Sequence, residues 1–339
     1  MNSRSLVPRR LLAVLGSVLV GFGLAACNSD VPSSSGDANP ARVSMGTQAW
    51  IGYGPWHIVK EKGFDKNHGI DLDLVNFNTD ADLSSAFAAG RLQAGNAATN
   101  TVAQFLKAGQ PRTIVLFEDT SRTADAILAR PDIRSVADLR GKKVAFEEGT
   151  TSDILLRHAL STAGLGMDDI KVVPTPASDA GSALISGGVD AAVTYEPYIS
   201  ALRRQDSEVA PIFTAGDKPG LISDTLTVNT EWAKKNPAVV SDLLLAWNDA
   251  VMYYREHKQE AQAIIAKGVG VDVADLTTSF DGVDFYDLQQ SNTYLTKEFP
   301  ETASVIEKVL SSTADESASG VSIAGAVDTS YGAKAGGAN

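Results

Sequence analysis

Cysteine is almost missing from this chain: its 339 residues include one, Cys27. A disulfide within the chain is therefore impossible. Histidine is scarce as well. His57, His68, His158 and His257 stand far apart and match no zinc-ligand spacing. His158 reads as a packed helix histidine, and a site made of His57 and Lys60 has nothing else to support it. Neither a Gly-x-Ser-x-Gly nucleophile turn nor a phosphate-cradling glycine loop ending in Lys-Ser or Lys-Thr occurs. No metal, no cofactor and no catalytic group are expected. Positive charge is in deficit too, with 29 Lys and Arg against 41 Asp and Glu and a net charge of -12. Without a basic patch to neutralise phosphates, nucleic acid is not a partner. The acidity by itself means solubility.

Long apolar runs are also missing after residue 26. Before it, Arg4, Arg9 and Arg10 precede an apolar stretch, Leu11 to Ala26, too short for a comfortable membrane span. This reads as a secretory signal. Its ending, Leu24-Ala25-Ala26-Cys27, resembles the bacterial lipobox, in which the cysteine carries lipid and becomes the first residue. The expectation is a signal over 1–26, a lipid anchor on Cys27, and a flexible Ser-, Gly- and Pro-containing tether over 27–41. A lipid, a tether and a globule suit work at a membrane from its extracytoplasmic face.

From Val43 onward, short apolar strands alternate with amphipathic helices, which argues for an α/β fold with mainly parallel strands. Strands are expected at Val43–Trp50, Ile70–Phe77, Gln93–Ala97, Thr113–Phe117, Ala124–Ala129, Lys142–Phe146, Ile170–Val173, Asp190–Tyr195, Glu208–Phe213 and Leu221–Val228. Between them fall helices stopped by Gly63, Gly90 and Gly109. Pro237–Tyr254 predicts one long helix, and Glu256–Lys267, Val273–Phe280 and Phe285–Phe299 continue in helical style. The tail over 311–339 is rich in Ser, Ala and Gly, and Ala333–Asn339 is expected to be disordered. Two extended crossings, near Asp119–Leu128 and Gly220–Val228, suggest two lobes, 42–121 with 225–310 and 122–224, around a hinge.

Four segments carry a resemblance: Gly52-Tyr53-Gly54-Pro55-Trp56, Asp138-Leu139-Arg140-Gly141-Lys142-Lys143-Val144, Gly149-Thr150-Thr151-Ser152-Asp153 and Val193-Thr194-Tyr195-Glu196-Pro197-Tyr198. In this order they resemble the solute-binding proteins of ATP-driven importers in the nitrate/sulfonate/taurine group. The resemblance spans about Val43 to Phe299. It implies a two-lobed, type II periplasmic-binding-protein-like fold with a sheet and flanking helices in each lobe, a closing cleft, and an ABC permease with its ATPase as partners. It also implies a monomer. A membrane-anchored sensor with the same fold, or an extracytoplasmic enzyme, are the alternatives. The related binders of thiamine-precursor pyrimidines carry a cysteine-rich motif that this chain does not have.

Residues at strand ends should face the cleft. Trp50, Tyr53 and Trp56 offer aromatic walls, whose faces attract cations. Asn100, Asp119, Ser121, Glu148, Thr150, Thr151, Glu196 and Asp224 follow at later junctions. Thr150 and Thr151 double as helix-start residues, a role that alone stabilises by about 1 kcal/mol. Glu118, Asp119, Asp125, Glu147, Glu148, Glu196 and Asp224 fall at expected turns or crossings, against one nearby cation, Arg122. A bare anion such as nitrate suits that set poorly. A taurine- or sulfonate-like zwitterion, or an amine or guanidino compound, suits it better.

Overall fold

The computed structural model describes residues 39–276, 279–311 and 321–336. The signal, Cys27 and most of the tether lie outside the described residues, as do 312–320 and 337–339 of the tail.

The chain enters through Ala41–Thr47 (β1), a tight turn at Ile51–Tyr53 and helix Gly54–Lys62 (α1), which Gly63 ends at a φ of 72°. The first strand stops at Thr47 rather than Trp50, because Trp50 N turns back to donate to Gln48 O at 2.8 Å. Phe64–Asn67 (α2), Ile70–Asn76 (β2), Asp80–Ala88 (α3), Ala94–Ala98 (β3), Thr99–Lys107 (α4) and Arg112–Ser121 (β4) complete the first block. The second runs through Asp125–Ala129 (β5), Lys143–Phe146 (β6), Thr151–Thr162 (α5), Lys171–Pro174 (β7), Ala177–Ile185 (α6), Ala191–Tyr195 (β8), Tyr198–Gln205 (α7) and Ala210–Thr214 (β9). The chain then returns through Ser223–Asn229 (β10), Thr230–Lys235 (α8), Pro237–Glu256 (α9) and Lys258–Val269 (α10). Val283–Phe285 (β11), Leu288–Lys297 (α11), Phe299–Ser311 (α12) and Ser330–Gly336 (α13) close it.

Two sheets result. The first has the order β11-β4-β10-β3-β1-β2, the second β7-β6-β8-β5-β9. Strands β1 to β4 share one direction, and β10 and β11 oppose it. Strands β6 to β9 share a direction, and β5 opposes it. The sheets are thus mainly parallel in strand direction, with reversed strands where the chain has just crossed: β5 opens the second sheet and β10 re-enters the first.

Packing follows the helix periodicity. On one side of the first sheet α1, α9 and α10 bury Trp56 against Trp247, with ring centroids 5.1 Å apart. Burying each ring stabilises by roughly 4–6 kcal/mol on area grounds, an upper bound. A second cluster joins Phe105 of α4, Ile154 of α5, and Phe299 and Ile306 of α12, so α12 rests on both blocks.

Three expectations are corrected. Glu118, Asp119 and Ser121 do not leave the strand as a turn: they lie inside β4, and Asp224, within the extended segment expected over Leu221–Val228, stands opposite Asp119 in β10. The strands run this far because each crossing segment continues its ladder up to the crossing itself. Of the helical stretch expected over 273–280, the described residues form short turns at Val273–Leu276 and Ser279–Gly282, and the edge strand β11 follows. The tail is not disordered at Ala333: α13 seats Tyr331 and Ala335 in the core, and Tyr331 O accepts from Ser241 Oγ at 3.1 Å. Its small residues allow the close approach, and the one aromatic anchors it.

Candidate ligand-binding site

The strand ends meet around one cavity of about 70 Å³. A single water needs about 10–15 Å³ on that scale, so the space suits a small solute. From the first sheet it takes Gln48 and Trp50 after β1, Tyr53, Asn78-Thr79-Asp80 after β2, Ala98 at the end of β3, and Asp224 at the start of β10. From the second it takes Asp125 at the start of β5, Glu147 after β6, Thr150 and Thr151 at the head of α5, and Tyr195 at the end of β8. Ile222 comes from the returning crossing. Carboxyl ends of like-directed strands, together with the starts of the reversed ones, face the same crevice, as expected for open α/β sheets.

Aromatic rings close it from both sides. Trp50 meets Tyr195 edge-on, with centroids 5.8 Å apart and planes at 90°. Tyr53 Oη donates to Asp224 Oδ1 at 2.6 Å, across 171 positions of sequence. Gly52 permits this packing: any Cβ there would strike Trp50 Nε1 and the Asp119 carboxylate.

The carboxylates set the electrostatics. Burial pushes Asp125 up to about 7 and Asp224 up to about 6, the latter opposed by the hydrogen bond from Tyr53. Asp119, fully buried behind Asp224, is held far above the carboxylate range by burial and by Asp224, Glu118 and Asp125. Burial also raises Asp80, although Thr101 Oγ1 donates to it at 2.9 Å. Asp125 Oδ2 is buried without a hydrogen-bond partner. No Lys, Arg or His is among the residues lining the cavity. Arg122, the cation nearest in sequence, turns away to Asp284 at 3.2 Å and Asp281 O at 2.8 Å.

Of the residues singled out from sequence, Trp50, Tyr53, Thr150, Thr151 and Asp224 line the cavity together. Thr150 is also the N-cap of α5, accepting from Ser152 N at 3.3 Å. Asn100 and Asp119 are buried outside the lining, and Ser121 lines a separate hollow with Arg122. Trp56 belongs to the core: the α1 period turns it toward Trp247, and Nε1 donates to Glu118 Oε1 at 2.6 Å. Glu196 is spent on α7, accepting from Ser200 N at 3.0 Å and Ser200 Oγ at 3.1 Å. Glu148 is exposed and lines a neighbouring hollow with Gln104 and Gly149. Glu147 takes the inward place, with Oε2 accepting from Ala177 N at 3.1 Å. Gln48, Asn78, Thr79 and Tyr195 were not singled out as site residues. Their position just past strand ends was the available signal.

A family model described as NMT1/THI5 like matches residues 53–261, more than half of the chain. The chain belongs to this family. Among the relatives of this NMT1/THI5-like protein is a candidate aliphatic sulfonates-binding protein of Bacillus subtilis, 29% identical over 76% of this chain and 77% of the relative. Another is the taurine-binding periplasmic protein of Escherichia coli, 23% identical over 84% of this chain and 86% of the relative. The solved structure of the periplasmic aliphatic sulphonate binding protein SsuA from Escherichia coli superposes with a TM-score of 0.68 at 24% identity, covering 80% of this chain and 85% of that one. The fold of the NMT1/THI5-like chain is therefore that of the periplasmic binding proteins.

Proposed function

We propose that this chain is the extracytoplasmic solute-binding subunit of an ABC importer. It captures a small organic solute, a taurine- or sulfonate-like zwitterion or an amine or guanidino compound, and presents it to a permease driven by an ATPase. One observation carries the reading: a single small cavity takes its lining from both sheets, which two crossing segments join. Segments 42–121 with 225–310, and 122–224, would act as the two lobes, and a solute held by both favours the closed arrangement. The relatives are named for binding rather than turnover. The chain acts by binding, as a monomer, tethered to the cell membrane through lipid on Cys27.

Titration calorimetry with taurine, alkanesulfonates, nitrate, amines and guanidino compounds tests the reading. A stoichiometric ligand recovered chemically unchanged supports it; chemical conversion of the bound compound, or no ligand in any class, sinks it. Fatty-acid labelling in cells that disappears in Cys27→Ala tests the anchor, and light scattering tests the monomer.

A further inference from the structure

Within that proposed role, the composition of the cavity wall narrows the solute. Asp80, Asp125, Glu147 and Asp224 all line a space of about 70 Å³ into which no Lys, Arg or His of the described residues reaches. An anionic group entering it would find the indole N–H of Trp50, the hydroxyl of Tyr195, the amides of Gln48 and Asn78, the hydroxyls of Thr79, Thr150 and Thr151, and the backbone N–H groups at the head of α5, with no charged donor among them. The phenol of Tyr53 is already committed to Asp224. Each of those donors is neutral. The charged guanidinium fork that favours bidentate recognition of sulfonates and carboxylates is not among them.

A second observation is independent of the acid count. Asp125, a residue of the cavity wall, is about 95% buried, and its Oδ2 has no hydrogen-bond partner. A buried acceptor of this kind is costly until a donor reaches it. An N–H of the solute would supply such a donor. The rings of Trp50 and Tyr195, one from each side, meet edge-to-face in the cavity wall and add apolar contact area to it.

We infer that the solute is a small organic cation bearing N–H donors and no anionic group, a primary amine or a guanidinium, held by Asp125 and Glu147 from one side and Asp80 and Asp224 from the other. Its charge joins the two sides: without it the four carboxylates repel across the cleft, and with it they share one counter-ion. Affinity for the cation and closure of the cleft are thus one event.

The test uses the secreted globule with its tether, titrated calorimetrically near neutral pH with ethylamine, butylamine, guanidine, agmatine, tetramethylammonium, taurine and ethanesulfonate. Amines or guanidines are expected to bind at least about tenfold more tightly than taurine, with no heat from ethanesulfonate. Tetramethylammonium, a cation without N–H, is expected to be weaker than the amines by a similar factor. Asp125→Asn is expected to weaken the best amine by about tenfold or more while the variant keeps its melting cooperativity. Glu147→Gln, on the half-buried rim, gives the same direction if Asp125→Asn fails to fold. Tighter binding of taurine than of ethylamine, or of ethanesulfonate than of any amine, overturns the cation assignment and leaves the solute-binding role standing. Equal affinity for tetramethylammonium overturns the N–H requirement. Unchanged affinity in Asp125→Asn and Glu147→Gln overturns the assigned carboxylates. Absence of binding across the whole series overturns both the assignment and the role it rests on.

Discussion

Tyr53 Oη and Asp224 Oδ1 lie 2.6 Å apart, joining the turn after the first strand to the strand that re-enters the first sheet. Both side chains border the cavity. The phenol stays protonated, since burial and Asp224 raise its pKa well above the usual value. It therefore donates, and it holds Asp224 in place as an acceptor. Tyr53→Phe removes that donor from a buried carboxylate, at a cost of about 1–3 kcal/mol. The expected outcome is a lower melting temperature together with weaker solute binding, read by calorimetry. A variant with the stability loss but full affinity would show that Asp224 is not a solute contact.

Glu147 and Glu148 are adjacent and alike in chemistry but opposite in placement. Glu147, half-buried, lines both the cavity and the adjoining hollow; Glu148 is exposed and lines the hollow but not the cavity. Glu147→Gln is expected to weaken the solute by about tenfold, and Glu148→Gln by less than about twofold, because an exposed charge is screened. Side-by-side titrations decide it. The reverse ranking would place the solute outside the cavity described.

The pH dependence of the empty protein follows from Asp125 and Asp224. Their folded-state values, about 7 and about 6, stand above the ordinary aspartate value of 3.8. Between those limits the folded state binds more protons than the unfolded one, so these two groups contribute stability at low pH that is lost as pH rises toward 7. The groups surrounding them, Asp119, Glu118, Glu196 and Asp80, are raised by burial in the same sense. Melting temperature of the empty globule is expected to fall from about pH 5 to about pH 7.5, and affinity for a cation to rise over that interval. In Asp125→Asn and Asp224→Asn the slope flattens. An unchanged slope in the double variant would remove both groups as its cause.

Trp56 and Trp50 separate core from site. Trp56 is fully buried, and its Nε1 donates to Glu118 Oε1 at 2.6 Å. Trp56→Phe leaves a buried carboxyl with no donor and is expected to cost roughly 2–4 kcal/mol, measured by denaturant unfolding, with little change in affinity of the folded fraction. Trp50→Phe changes a cavity wall and is expected to do the opposite.

The last described helix should matter for stability. Tyr331 of α13 is buried against α9, and its carbonyl accepts from Ser241 Oγ. Tyr331→Ala is expected to cost roughly 3 kcal/mol in chemical denaturation. Removal without cost would mean that the α13 contact is dispensable.

Much of the fold was legible because its signals are local. Alternation of short apolar strands with helices stopped by Gly63, Gly90 and Gly109, and the Thr150 cap of α5, depend on neighbours a few positions away. So does the family resemblance, carried by short segments in order. The residues just past strand ends were placed near the site for the same reason. Trp50, Tyr53, Thr150, Thr151 and Asp224 meet there.

What only the tertiary structure decided is where each carboxylate points and what it meets. The sequence shows Glu147 and Glu148, at an expected turn, and Asp119 and Asp224, at expected crossings, as equivalent acids. Pairing of β4 with β10 buries Asp119 behind Asp224, and the turn after β6 sends one glutamate inward and the other to solvent. Trp56, read as an aromatic wall, goes to the core because α9 lies 191 positions farther along the chain and puts Trp247 against it. Local composition decides that an element forms and which residues stand at its end. Desolvation and charge coupling depend on contacts across more than a hundred residues, and those exist only once both sheets have packed.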